Sequence, residues 1–272
     1  MIRRLWKLLA GIVILVVILV IALYLTIDSI AKAGIEKGGT YALGVNTKAD
    51  SVGVSLLGGS LGVGGLTIDN PKGYKGPLLL KSGRLDVDVN TGTLFSQVIE
   101  IPRIEMDDLE LSIEPRAGGN NVSDVIQHIE SLGSKGKTEG GRRVKIGTIL
   151  LKNVTAKVQL LAGGGDASTI TVNIPELELK NVTEGNQNGI LVSDVMARVF
   201  PAIVAGILEK GKGIIPVDLA GQMGKDIAGA AKTLGEGGAK LVGQTAETLG
   251  KAAEGAEKAL EGLFGKKKTD AP

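Results

Sequence analysis

Apolar residues follow three rhythms along this chain. Residues 8–27, LLAGIVILVVILVIALYLTI, form an uncharged run of twenty. As a helix rising ~1.5 Å per residue it spans about 30 Å, the thickness of a bilayer's hydrocarbon core. Further on the rhythm has period two. Leu85, Val87 and Val89 alternate with Asp86, Asp88 and Asn90, so one face of a strand is greasy and the other wet. Ile99 and Ile101, then Leu109, Leu111 and Ile113, repeat this pattern, as do Ile170, Val172 and Ile174 followed by Leu177 and Leu179.

The third rhythm is helical. Residues 121–132 bring Val125, Ile126 and Ile129 to one face, with Asn121 or Ser123 as the cap. Residues 191–209 gather Val195, Val199, Ala202, Ile203 and Leu208, with Ser193 as cap and a kink expected at Pro201. From Gly224 to Gly265, Ile227, Leu234, Leu241, Leu249, Leu260 and Leu263 recur at irregular helical intervals among Ala, Gly, Lys and Glu. Nine glycines between Gly224 and Gly262, each costing ~1 kcal/mol against Ala in a helix interior, predict partial disorder for this segment when free.

Together these patterns predict an α+β chain: an N-terminal transmembrane helix, then a mostly antiparallel, curved, groove-like β-sheet with one or two covering helices. A long C-terminal amphipathic Ala/Gly-rich helix or tail completes it. The boundaries expected are a cytoplasmic N-terminus at 1–7, the transmembrane helix at 8–27 and a helical extension at 28–40. A β-rich domain at 41–190, a covering helix at 191–210 and the tail at 211–272 follow. Leu8, Ile14, Leu19 and Ile27 are the anchor residues. Arg3, Arg4 and Lys7 precede the apolar run and Asp28 follows it, which by the positive-inside rule puts the N-terminus in the cytoplasm and the rest across the membrane. Ala31-Lys32-Ala33 resembles a signal-peptide cleavage site, but twenty apolar residues exceed the ~7–15 of a signal h-region, which favours an uncleaved anchor.

An internal repeat accompanies the strands. Residues 98–114 and 143–159 superpose at a constant offset of 45, so that Ile99, Ile101, Ile104, Leu109, Leu111 and Ile113 fall on Val144, Ile146, Ile149, Val154, Ala156 and Val158.

Composition narrows the classes. Aromatics make up 3% of 272 residues and Gly contributes 41, so the core is built from Val, Ile, Leu and Ala. With 0 Cys, disulfides and thiolate chemistry are excluded. The net charge is +2 and the basic residues lack aromatic partners, so no nucleic-acid footprint is present. His128, the single histidine, reads as a surface residue of the 121–132 helix. Asp107 and Asp108 point to opposite faces if extended and mark a hairpin or bulge. The glycine pairs at 58–59 and 64–65 and the run at 163–165 read as hairpin turns, because they lack the Lys-Ser/Thr of a phosphate loop. No nucleophile-base pair or metal-ligand cluster can be assembled, so neither enzymatic activity nor a cofactor is expected.

Residues 51–74, SVGVSLLGGSLGVGGLTIDNPKGY, and 78–114 resemble the N-terminal region of AsmA-family proteins. The resemblance rests on a hairpin ending in Leu66, Ile68, Asn70, Pro71, Gly73 and Tyr74, then on alternating strands closing on Leu-Ser-Ile-Glu. It extends over roughly residues 2–179, anchor included. It implies a single-pass protein of the bacterial inner membrane, its bulk in the periplasm, handling phospholipid acyl chains on a groove-shaped sheet. Leu85, Val87, Val89, Ile99, Ile101, Leu109 and Leu111 would then be the lipid-facing wall. Six to nine strands at ~4.8 Å spacing reach only about 30–45 Å, too short for a periplasm-spanning conduit. The other expectation is a periplasmic scaffold, with residues 224–265 as an arm that folds on an envelope protein partner.

Overall fold

The computed structural model describes residues 2–133, 142–162, 164–180, 182–183, 188–191 and 195–233. Side chains are described for the same residues except 2–5, 7–10, 16–17, 19–25, 133 and 230–233. The fold is α+β, a mixed and mostly antiparallel sheet with helices on one face.

Helix α1, Ile2–Leu43, is continuous through the apolar run and the expected extension. Among the described residues no helix is long and apolar enough to cross a membrane. Of the four anchor residues, the side chains of Leu8 and Leu19 lie outside the described residues, Ile14 is exposed and Ile27 half-buried. The membrane crossing therefore stands on hydropathy alone.

The strands are β1 (Thr47–Lys48), β2 (Ser51–Ser55), β3 (Ser60–Asp69), β4 (Leu78–Asp88), β5 (Val98–Asp107) and β6 (Glu110–Ile113). A small hairpin, β7 (Pro115–Arg116) and β8 (Gly119–Asn120), leads into helix α2, Asn121–Gly133. Then come β9 (Arg143–Gln159), β10 (Thr169–Lys180), β11 (Ile190–Leu191), helix α3 (Val195–Lys210) and helix α4 (Val217–Thr233). The order across the sheet is β1-β3-β4-β5-β9-β10. β2 lies beside β3, and β6 continues the lane of β5 between β4 and β9.

The exception to antiparallel pairing is β5/β6 on β9. A parallel pair needs a crossover, and α2 provides it. The register of this pair is the sequence repeat itself: Ile99, Ile101 and Ile104 sit beside Val144, Ile146 and Ile149, and Leu111 and Ile113 beside Ala156 and Val158. Two similar segments thus lie side by side in register, which aligns their apolar faces.

One row of residues interrupts the ladder in five neighbouring strands. Gly65, Gly83, Asp108, Asn153 and Pro175 are the positions at which the pairing register skips a rung. Inward residues jump by three there: Val63 to Leu66, Ser82 to Leu85, Met106 to Leu109, Leu151 to Val154 and Ile174 to Leu177. Gly65, Asp108 and Asn153 take φ of 62°, 54° and 51°. A single extra residue would throw one strand's side chains onto the wrong face. Because every strand carries the extra residue in the same row, apolar side chains stay on one face and the sheet acquires a crease. Gly64-Gly65 thus lies inside β3, with Gly65 opposite Gly83 in an unshifted register, rather than in a turn, whereas residues 56–59 do form one.

The inner face carries the core: Leu66, Ile68, Leu80, Leu109, Leu111, Ile113, Ile149, Leu151, Val154, Ala156 and Val158 are all buried. The outer face carries Arg84, Asp86, Arg103, Glu105, Lys152, Glu110 and Lys157 in ion pairs. Over the inner face, α2 buries Val122, Val125, Ile126 and Ile129. Its cap is Asn120, whose Oδ1 accepts the N–H of Ser123 at 2.9 Å, so neither Asn121 nor Ser123 holds that position. Helix α3 departs from the expected cover with one greasy face. Residues 199–208 are buried without a break, because the sheet lies to one side of the helix and α4 to another. Leu191, expected at the start of this helix, instead pairs with β9 as part of a strand. Helix α4 buries Met223 and Ile227 against the other helices, which docks it on the core rather than leaving it a loose tail. Of the arm expected at 224–265, residues 234–265 lie outside the described residues, as does Ser193.

Candidate functional site

The seven residues of the expected apolar wall divide between two environments. Leu109 and Leu111 are fully buried beneath the helical layer and belong to the closed core. Val87 is also buried, while Leu85, Val89, Ile99 and Ile101 are half-buried, with Leu85, Ile99, Ile101 and Ile104 packed against the rim of the core. This second group occupies the end of β4 and the start of β5, where Leu85 faces Met106 and Val87 faces Ile104. Val52, Val54 and Leu61 on the β2–β3 hairpin, with Val195 and Met196 at the start of α3, are half-buried as well. The apolar face is therefore sealed at one end of the sheet, and at the other the partly covered residues of β4 and β5 alternate with buried Val63, Val144 and Ile146 on the strands beside them.

Helix α1 borders the open end. Four of its side chains, spaced four residues apart along one helical stripe, bond the edge formed by β1, β2 and the link between them. Asp28 Oδ1 accepts from the Val54 N–H at 2.8 Å, and Lys32 Nζ donates to the Asp50 carbonyl at 3.1 Å. Glu36 Oε1 accepts from Ala49 N at 3.1 Å, and Thr40 Oγ1 from Thr47 N at 3.0 Å. Edge strands expose unpaired backbone groups that invite association, and this ladder occupies them. At Gly39 the helix approaches so closely that an added Cβ would lie 2.8 Å from Thr47 Cγ2. Reading the segment at 28–40 for apolar spacing alone misses this stripe, because its work is polar. The i, i+4 series Asp28, Lys32, Glu36, Thr40 is the signal that could have found it.

At the closed end lies a polar cluster built on the Asn-Pro-x-Gly-Tyr step. The Glu114 carboxylate, almost fully buried, accepts from Asn70 Nδ2 at 2.7 Å, from Lys75 N at 3.1 Å and from Gly76 N at 3.1 Å. Asn121 Nδ2 donates to Asn70 Oδ1 at 2.8 Å while its Oδ1 accepts the Glu114 N–H at 2.9 Å. Next to it the Tyr74 hydroxyl donates to Asp124 at 2.9 Å, and the Arg116 guanidinium bonds Asp124 and lies 5.4 Å from the Tyr74 ring centroid. Burial, then the Asp124 carboxylate, pushes the Tyr74 phenol well above its ordinary pKa, so it stays a donor. Each donor here meets an acceptor within the protein, which makes the cluster a clamp holding residues 70–77 onto the start of α2. Glu114 was legible only as the last letter of a strand pattern.

The remaining sequence candidates are structural. His128 sits at the α1–α2 contact, its Nε2 3.1 Å from the Tyr41 carbonyl. Asp107 lies within β5, and Asp108 is the crease residue that follows it. Among the described residues no group of three or more His, Cys, Asp or Glu could hold a metal ion. No family model matches this chain, and neither curated proteins nor solved structures yield a match.

Proposed function

We propose that this chain is a membrane-anchored, non-enzymatic protein of the bacterial cell envelope, of the AsmA-like type. Residues 8–27 cross the inner membrane with the N-terminus in the cytoplasm, and the periplasmic sheet shelters phospholipid acyl chains. The observation that carries this reading is the uneven cover of the apolar face. Leu85, Val89, Ile99 and Ile101 are only partly covered, at the end of the sheet whose β2 edge is bonded to the helix that carries the twenty-residue apolar run, while Leu109 and Leu111 are sealed. An exposed apolar surface near a bilayer gains most by contact with acyl chains. The lipid-facing wall is accordingly shorter than the sequence pattern implies: Leu109 and Leu111 serve packing, and the open end serves lipid.

Site-specific photocrosslinking tests this. With a benzophenone amino acid at Ile101 or Leu85 of the full chain in bacterial membranes, irradiation is expected to yield a phospholipid adduct visible by mass spectrometry. The same probe at the exposed outer-face position Lys145 is expected to yield none. Absence of lipid adducts at both Ile101 and Leu85 sinks the lipid-handling reading.

A further inference from the structure

Two loops project from the open end of the sheet with large apolar side chains in full view of solvent. In the β2–β3 turn Leu57 is 101% exposed, with Leu56 partly so, and in the β4–β5 connection Phe95 is 100% exposed. They share one end of the molecule because Ser60 pairs with Asp88, Gly59 accepts the Val89 N–H at 2.7 Å, and Thr91 lies against Gly59. Neither loop is slack. Gly58 N–H bonds Ser55 Oγ at 3.2 Å. In the second loop Asn90 Oδ1 accepts from Gly92 N at 3.1 Å, Thr93 Oγ1 donates to Asn90 O at 2.7 Å, and Arg142 donates to the Leu94 carbonyl. Bonded loops that hold leucine and phenylalanine away from any core keep an apolar surface on offer rather than hiding it.

The position of α1 says what covers that surface. Asp28 is bonded to Val54, so helix and edge strand are level there. From Val54 to Leu57 is three residues, less than about 10 Å because the chain turns after Ser55, and a helix covers such a rise in fewer than about seven residues. Leu57 therefore lies level with α1 between about residue 21 and Asp28, at the end of the apolar run 8–27. Because α1 continues unbroken into the four-rung ladder on β1 and β2, the sheet cannot swing away from this height.

We infer that Leu56, Leu57 and Phe95 are a bilayer-seating surface, inserted among the lipids around α1 so that the open end of the apolar face rests on the membrane. This rests on the reading of residues 8–27 as the anchor. It explains why the loop tips are apolar and why the open end of the sheet lies at this end: lipid reaches Leu85 and Ile101 directly from the leaflet. Exposed leucines also occur at Leu160 and Leu161 in the β9–β10 connection, but β9 places that loop about 50 Å away, beyond reach of the same leaflet.

The chain's lack of cysteine permits single-cysteine labelling of the full-length protein. Leu57→Cys, Phe95→Cys, Leu161→Cys and Leu15→Cys would each carry an environment-sensitive NBD label. The proteins are reconstituted in phosphatidylethanolamine–phosphatidylglycerol vesicles doped with doxyl-labelled phosphatidylcholine. Emission at 57 and 95 is expected to fall by about half on doping, as for side chains buried ~5–10 Å into the interface, and to resist iodide. Emission at 161 is expected to be quenched by iodide alone. If 57 and 95 behave as 161 does, the seating surface is overturned. In that event quenching at 15 by doxyl lipid leaves the anchor standing, and its absence removes the anchor too.

Discussion

Asn153 and Asp108 stand side by side in parallel strands, 45 positions apart in sequence, each with a left-handed backbone and joined by an Asn153 Nδ2 to Asp108 Oδ1 hydrogen bond of 3.2 Å. Asn and Asp are the side-chain-bearing residues that best tolerate this conformation. Their pairing sets the crease at the centre of the sheet and lets the apolar face continue across it. Asn153→Val forces a β-branched residue into positive φ and removes the bond, so a loss of about 1–3 kcal/mol is expected in chemical denaturation. Asn153→Gly, which keeps the backbone free, is expected to lose clearly less.

The clamp around Glu114 makes a second prediction. Glu114→Ala removes the acceptor of the Lys75 and Gly76 N–H groups and one of two acceptors of the Asn70 amide, which also donates to the Gly76 carbonyl. Leaving buried donors unpaired costs ~1–3 kcal/mol each when water cannot reach them. A total loss of about 2–4 kcal/mol is expected, with faster amide exchange at Lys75 and Gly76. Unchanged exchange there would show that the loop is held by something else.

Closed and open ends of the apolar face should respond differently to truncation. Leu111→Ala leaves a cavity beneath α2 and is expected to cost about 2–5 kcal/mol. Ile101→Ala removes a side chain that solvent already reaches, and an expected cost below about 1.5 kcal/mol follows from its smaller burial. Equal losses measured by denaturation would show that Ile101 is as enclosed as Leu111.

Helix docking carries a pH dependence of known sign. Burial, and then the neighbouring charge of Asp226 on α4, raise the Glu130 carboxyl above its ordinary value. The folded state then binds the proton more tightly than the unfolded state. This cost of ionisation is absent below the unfolded value near 4.5 and grows as pH rises through the raised folded value. Glu130→Gln is expected to raise the thermal midpoint at pH 7 and to shrink the gain that the parent protein shows on mild acidification. A midpoint that falls at pH 7 would contradict the assignment.

The ladder from α1 can be opened one rung at a time. Asp28→Ala removes the acceptor for the Val54 N–H, at an expected cost of about 0.5–1.5 kcal/mol. Accelerated exchange confined to the Val54 amide is expected in hydrogen-exchange mass spectrometry, with Ala49 and Thr47 still protected by Glu36 and Thr40. Exchange spreading along the whole edge would mean that Asp28 alone docks the helix.

Much of this architecture is legible in the sequence alone. Alternation in residues 83–90, 98–114 and 169–180 marked strands, because a half-buried sheet makes neighbouring residues face opposite solvents. The 45-residue repeat even contained the register of β5/β6 on β9. Other features were not legible. The jump from Leu151 to Val154 looks like noise until four neighbouring strands make the same jump in the same row. Residues 217–233 fall in the expected amphipathic helical tail, whose glycines from Gly224 onward predict partial disorder when free, yet packing of Met223 and Ile227 outweighs that local cost.

Local order along the chain was enough to mark several of the strands and helices, and to show that residues 8–27 could span a bilayer and that one sheet face is apolar. Those properties depend on neighbours a few residues apart, and periodicity records them. Whether Leu111 or Ile101 is enclosed, which edge α1 protects, and that Leu57 and Phe95 meet at one end depend on contacts between residues tens of positions apart. Such contacts arise only when the chain crosses over itself and the helices choose where on the apolar face to lie.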